Sequence, residues 1–166
     1  VKPYQAFLLA AIVTSTASAQ TSTPTAKAPA AHEGMTMPAY IKFEDMKWSK
    51  LLPDRPDSAE ISILHVDPKT GSTQLLIRSP ANYHAEKHWH TANETHLVLS
   101  GTFIMQDENG QRAVLGPGSF NYMPSGMVHE AWSPPNEGNV VFITVDGPWD
   151  LNLVEGPNAK QPPPKK

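Results

Sequence analysis

Apolar and polar residues alternate along most of the middle of this chain. The run AEISILHV (residues 59–66) alternates, DPKTGS (67–72) supplies turn residues, and TQLLIRS (73–79) returns as a second alternating run. A period of two places successive side chains on opposite faces, which predicts half-buried strands. THLVLSGTFIMQ (95–106) reads as one long strand, and DENG (107–110) turns it into QRAVL (111–115). GPG (116–118) opens SFNYM (119–123), PSG (124–126) turns it into VHEAWS (128–133), and NVVFITV (139–145) is the last strong strand. No stretch combines helical period with caps and useful length. Short strands divided by Gly, Pro and Asn about every eight to twelve residues predict an all-β sandwich or barrel.

Composition narrows this picture. A chain of 166 residues, 39% hydrophobic and 17% charged, accommodates one globular domain with tails. A net charge of -3 with no basic stripe argues against a nucleic-acid partner. There are no cysteines, which excludes disulfides, thiolate metal sites and cysteine nucleophiles. Residues 1–19 have the layout of a secretory signal peptide: Lys2, the apolar AFLLAAIV, then an A-x-A site at Ala17 and Ala19. The apolar run is too short to span a bilayer, so the expectation is an exported bacterial protein, periplasmic or secreted, with no membrane contact after cleavage. Residues 20–39 read as a flexible linker and 157–166 as a disordered, proline-rich tail, leaving 40–156 as the folded domain. HEGMTM (32–37) offers soft copper ligands, although mobile ligands make poor sites and an ordinary linker is the preferred reading.

The chemistry concentrates in EKHWHTANETHLVLSG (86–101). On a strand His88 and His90 share a face, with Cα atoms roughly 6.6 Å apart, so both imidazoles can lean onto one ion. TAN (91–93) can turn the chain to present Glu94 from the next strand, and His129 follows a Pro-Gly turn that fixes it. Three imidazoles and a carboxylate suit a divalent metal ion: Fe, Mn, Ni, Co or Zn. A strand histidine is more often solvated or hydrogen-bonded, and HWH alone is a weak signal.

The stretch 82–133 resembles the paired motifs of the cupin superfamily, G-x5-H-x-H-x3,4-E-x6-G and G-x5-P-x-G-x2-H-x3-N. His88, His90, Glu94 and Gly101 fall in register with the first, and Gly118, Pro124, Gly126 and His129 with the second. Asn82 stands for the first glycine and Ser133 for the final asparagine, and neither change touches a ligand. The resemblance implies a double-stranded β-helix, a jelly-roll barrel with the metal inside, held by His88, His90, Glu94 and His129. Within the superfamily the sequence is most similar to single-domain proteins of the ChrR-like group. Superfamily habit also implies a homodimer formed through barrel strands.

Function is less constrained, since one fold serves many reactions. Glu94, His96 and Val98 share a strand face, so His96 should enter the barrel as a proton-transfer group or as a support for Glu94. Tyr122 is the second catalytic candidate, its hydroxyl holding a substrate oxygen, with a packed strand aromatic as the stronger alternative. Arg78 and His84, the latter in a stretch read as loop, are weaker candidates for the pocket, and surface placement is expected for both. The leading expectation is a metal-dependent, dioxygenase-like enzyme acting on a small oxygen-bearing molecule. The alternative is a non-catalytic binding module for a small molecule or carbohydrate.

Overall fold

Among the described residues, eleven strands account for nearly all the regular structure, most of them where the alternating pattern predicts a strand. In this computed structural model, residues 38–157 and 159–164 are described. The predicted signal peptide, most of the linker and the HEGMTM segment lie outside them. The strands are β1 (Ser49–Lys50), β2 (Glu60–Val66), β3 (Thr73–Ser79), β4 (His84–Trp89), β5 (Glu94–Gly101), β6 (Phe103–Asp107), β7 (Arg112–Leu115), β8 (Phe120–Met123), β9 (His129–Trp132), β10 (Asn139–Val145) and β11 (Asn152–Leu153). The only helix among the described residues is a single 3₁₀ turn at Phe43–Asp45.

The strands form two antiparallel sheets, ordered β1-β2-β3-β10-β5-β8 and β11-β4-β9-β6-β7. Non-sequential neighbours such as β3, β10 and β5 are the long-range pairings of a jelly roll. The core lies between the two sheets. Ile61, Ile63, Leu75, Val98, Val141, Ile143 and Val145 come from the larger sheet, and Phe103, Met105 and Ala131 from the smaller. Burial along β10 alternates through all seven residues, so its inward row is Asn139, Val141, Ile143 and Val145. On β5 the same inward row reads Glu94, His96, Val98. Two ionisable side chains therefore occupy positions where the fold would otherwise place core residues.

The run expected as one strand over 95–106 is broken at Gly101 and Thr102. Its first half belongs to the larger sheet and its second to the smaller, so the chain changes sheets there. Gly101 has φ +70°, and a Cβ at that position would lie 2.0 Å from the Gly138 carbonyl oxygen. Only glycine allows this crossing. Asn82, which replaces the first glycine of the motif, adopts φ +58°, a left-handed conformation that asparagine tolerates better than most residues. The segment around His84, expected as loop, is the start of β4, pairing His84 with Trp132 and Ala85 with Ala131.

Part of the proline-rich tail contacts the barrel. The Trp89 indole N–H donates to the Lys160 carbonyl at 2.9 Å, and the Lys160 N–H donates to the Leu153 carbonyl at 2.7 Å. The outward face of β5 and β8 carries Leu97, Leu99, Phe120 and Tyr122, all exposed.

Replacing Gly101 by alanine should destabilise the fold by about 3 kcal/mol or more, because the clash with Gly138 adds to a strained backbone. Urea denaturation checks this; a midpoint unchanged from the parent would show that the crossing does not need glycine.

Candidate metal centre

His88 and His129 are cross-strand partners in the β4–β9 ladder. Opposed residues point to the same face with their Cβ atoms about 5 Å apart, and here the two rings lie 4.3 Å apart between centroids. His90 follows the last residue of β4, its ring 5.0 Å from His88 and 5.2 Å from His129. One ring nitrogen from each of the three lies within 4.8 Å of the other two, and all three residues are buried.

Each of these imidazoles is anchored by its far nitrogen. His88 Nδ1 faces the Glu86 carbonyl at 2.6 Å, His129 Nδ1 faces the Met127 carbonyl at 3.0 Å, and His90 Nδ1 faces the Asp150 carbonyl. A carbonyl can only accept, so each Nδ1 must carry the proton. Neutral rings held in that tautomer have a bare lone pair on Nε2, which is the arrangement of metal-binding histidines.

The turn between β4 and β5 is held as firmly. The Asp150 carboxylate accepts from the Thr91 N–H and hydroxyl at 3.0 and 2.9 Å. Asp146 accepts from the Asn93 N–H at 2.9 Å, and Asn93 Oδ1 accepts from the Ser125 N–H at 2.9 Å. The Gly126 N–H donates to the His90 carbonyl at 2.9 Å, tying the His129 turn to the His90 strand end. Asp146 and Asp150 escaped the sequence analysis because nothing in their local pattern connects them to a turn more than fifty residues earlier.

Glu94 is 2% exposed. Its Oε2 lies 3.3 Å from His90 Nε2 and 3.3 Å from His96 Nε2, while its Oε1 is buried with no hydrogen-bond partner. Burial acts most strongly on this carboxyl and would raise its pKa. The neighbouring His90 and His96 outweigh burial and hold it below the usual value, so the group is ionised. His90 Nε2 and Glu94 Oε2 lie 3.3 Å apart, close enough to share one cation. A cation between the imidazoles and the carboxylate would also satisfy Oε1, whose isolation otherwise costs about 1–3 kcal/mol. By the chemistry of the donor set, these residues fit a divalent metal ion.

His96 is 4% exposed and enters the barrel as expected. Its Nε2 donates to Glu94, its ring lies 5.7 Å from Phe103, and its Nδ1 has no partner. Tyr122 is placed otherwise. It pairs with Thr95, between the pairs Glu94–Met123 and His96–Asn121, so it points outward with Thr95 and is 55% exposed. The proposed role of its hydroxyl in the cavity is therefore wrong: strand parity puts Met123 and Asn121 inside instead. Arg78 pairs with Glu60 and stacks on Trp48 at 4.2 Å, away from the centre. His84 is exposed, stacked on Trp132, with Nε2 3.0 Å from Glu130.

One cavity contains all these inward groups. The three histidines, Glu94 and His96 line it together with the apolar Ile77, Phe103, Met105, Val141 and Ile143, and so do Arg55 and Glu86, 3.0 Å apart.

Comparisons with known proteins agree with this fold. The sequence model for the ChrR Cupin-like domain matches residues 36–148. No curated protein sequence matches the chain. Among solved structures, the polyketide cyclase RemF from Streptomyces resistomycificus is similar at 16% identity and TM-score 0.62, covering 74% of this chain and 89% of its own. An RmlC-like cupin protein from Ralstonia eutropha is similar at 22% identity and TM-score 0.55, covering 66% and 68%. The DMSP lyase DddQ from Ruegeria pomeroyi is similar at 20% identity and TM-score 0.54, covering 61% and 56%. Identities this low establish the fold alone.

The buried imidazoles predict how the metal-free protein responds to acid. Burial first, then the neighbouring histidines, pushes His88 well below the ordinary 6.5, and burial with His90 lowers His129 to about 4. Above pH 6.5 both folded and unfolded chains hold these rings neutral, so their contribution is fully present. Below it the unfolded chain takes up protons that the folded chain refuses. Stability of the metal-free protein should therefore fall from about pH 6.5 towards pH 4. Urea midpoints across that interval check it, and a flat profile would mean that the rings are not buried as neutral groups.

Proposed function

This chain belongs to the ChrR cupin-like domain family, and on that premise we propose that it is a metal-dependent enzyme acting on a small oxygen-bearing molecule. The observation that carries this is the convergence of three Nδ1-anchored imidazoles beside an ionised carboxylate with an unpartnered oxygen. His88, His90 and His129 would hold the ion through Nε2, and Glu94 through its carboxylate. Fe, Mn, Ni, Co and Zn all suit this donor set.

A divalent ion bound there supplies Lewis acidity towards a substrate oxygen. The remaining chemistry belongs to the chain. Because His96 donates through Nε2 to Glu94, its Nδ1 lone pair is free to take a proton from a substrate and return it. Glu94 fixes the tautomer that leaves that lone pair bare. The apolar residues that share the cavity would strengthen each polar contact at the centre by lowering the local dielectric.

Proton transfer assisted by the metal is the reading that His96 favours, and it is compatible with lyase or cyclase chemistry of the kinds named for two structural neighbours. Oxidative use of the same centre, as in a dioxygenase, is the second reading, and it draws on the same ligand set. We further infer that the protein is exported, from the signal-peptide layout of residues 1–19.

Elemental analysis of the mature protein purified from its own compartment should find about one equivalent of a transition metal. His129→Ala should lower metal affinity at least about tenfold, as expected when one of four ligands is lost. His96→Phe should leave the metal content unchanged while removing turnover. Consumption of oxygen with substrate would select the dioxygenase reading, and turnover without it the proton-transfer one. A protein that neither contains nor takes up metal would overturn the proposal.

A further inference from the structure

The groups of the candidate centre are sealed from solvent. His88, His90, Glu94, His96 and His129 are each between 2% and 6% exposed. An ion or small molecule therefore reaches them only if part of the cavity wall moves. Most of that wall comes from β3, β4, β5, β6, β9 and β10, and each of these strands is paired on both sides. Tyr83 and His90 adjoin β4, and the rest of the wall comes from two segments, 149–153 after β10 and 51–55 between β1 and β2. The first segment is pinned: Asp150 holds Thr91 and His90, and Leu153 of β11 pairs with His88.

The second segment is held differently. It belongs to the loop of the β1–β2 hairpin, closed at its base by the Leu51 N–H donating to the Ala59 carbonyl at 2.8 Å. Leu51 and Ala59 are both buried. Beyond that base the loop bonds to itself. The Leu52 N–H donates to Ser58 Oγ at 2.9 Å, the Arg55 N–H to the Leu52 carbonyl at 3.0 Å, and the Ser58 N–H to the Arg55 carbonyl at 3.0 Å. Pro53 and Pro56 stiffen it further by fixing φ. Among the described residues, one polar tie joins 52–57 to the rest of the barrel, Arg55 Nη1 to Glu86 Oε1 at 3.0 Å. Pro53, Asp54, Pro56 and Asp57 are exposed, and Leu52 is half-buried. Arg55 and Glu86 line the cavity and also reach solvent, so at that place the cavity wall is the protein surface.

We propose that residues 52–58 form a stiff flap, hinged at Leu51 and Ala59 and latched by Arg55 to Glu86, whose opening admits ions and small molecules to the centre. The proposal rests on the metal-centre reading above and adds how that centre is reached. A segment with few buried contacts and one exposed ion pair opens more readily than any strand of the wall. Closure then sequesters whatever has entered.

The test follows cobalt(II) uptake by the metal-free full chain, and its release to excess chelator, by stopped-flow absorption. Passage through an open form scales both rates by the population of that form and leaves their ratio, the affinity, unchanged. Arg55→Gln and Glu86→Gln should each raise both rates about two- to fivefold, the span of one exposed ion pair. The two variants change the local charge in opposite senses, so a purely electrostatic effect on the ion would move them apart. A further variant closes the flap. The chain has no cysteine, so Arg55→Cys combined with Glu86→Cys supplies a unique pair that a short bismaleimide can bridge. Bridging should slow both rates at least about tenfold relative to the same variant capped with N-ethylmaleimide. Unchanged rates in both glutamine variants, rates that diverge between them, or a bridge without effect would each overturn the flap. If a glutamine variant does not fold, the bridged protein decides. A chain that takes up no cobalt overturns the metal-centre reading and this proposal with it, whereas cobalt exchanged at rates that ignore the latch overturns this proposal only.

Discussion

The centre depends on one repeated interaction, an imidazole N–H donated to a main-chain carbonyl. His88, His90 and His129 each make it, to Glu86, Asp150 and Met127 respectively. Without these bonds three buried rings could rotate, choose either tautomer or collapse onto one another. With them, three lone pairs point away from their anchors toward a common space. Two of the carbonyls lie two residues before their histidine on the same strand end, so they come with the local chain. The third, from Asp150, lies sixty residues from His90 in sequence, and it is available only when the chain after β10 returns to the end of β4.

That closure has a cost the core must offset. Glu94 and His96 occupy inward positions on β5, opposite Val145 and Ile143 of β10, that would otherwise hold core residues. Buried polar atoms without partners remain around the cavity, among them Glu94 Oε1, His96 Nδ1 and Asn139 Oδ1. Each would destabilise the fold if nothing ever met it. These three and Trp149 belong to residues lining one cavity, whereas His65 and Asn121, which also carry an unpartnered buried atom, do not line it.

The alternating pattern located most strands correctly because one face of each is buried and the other wet. It failed where alternation continues across a change of partner. The run over 95–106 keeps its apolar rhythm through Gly101 and Thr102, yet the backbone there leaves one sheet for the other. Tyr122 shows a related limit. A tyrosine in a short strand can face either way, and only pairing with β5 sets its parity opposite to that of Met123 and Asn121. His84 looked like loop because HAEK is polar, but the partner β9 makes it strand.

The sequence alone determined the all-β class, the identity of the clustered histidines and the family to which they belong, because these follow from short-range spacing. Two histidines at i and i+2, a glutamate four residues on and glycines at fixed offsets are local facts that survive without coordinates. Tertiary structure decided which groups actually meet. The pairing of His88 with His129 is a register of β4 against β9, and the anchoring of the 91–93 turn by Asp146 and Asp150 joins segments far apart in the chain. Asn139 became a neighbour of Ser133 for the same reason. Hydrogen-bond register between distant strands is set by closing the whole barrel, and no window of sequence contains it.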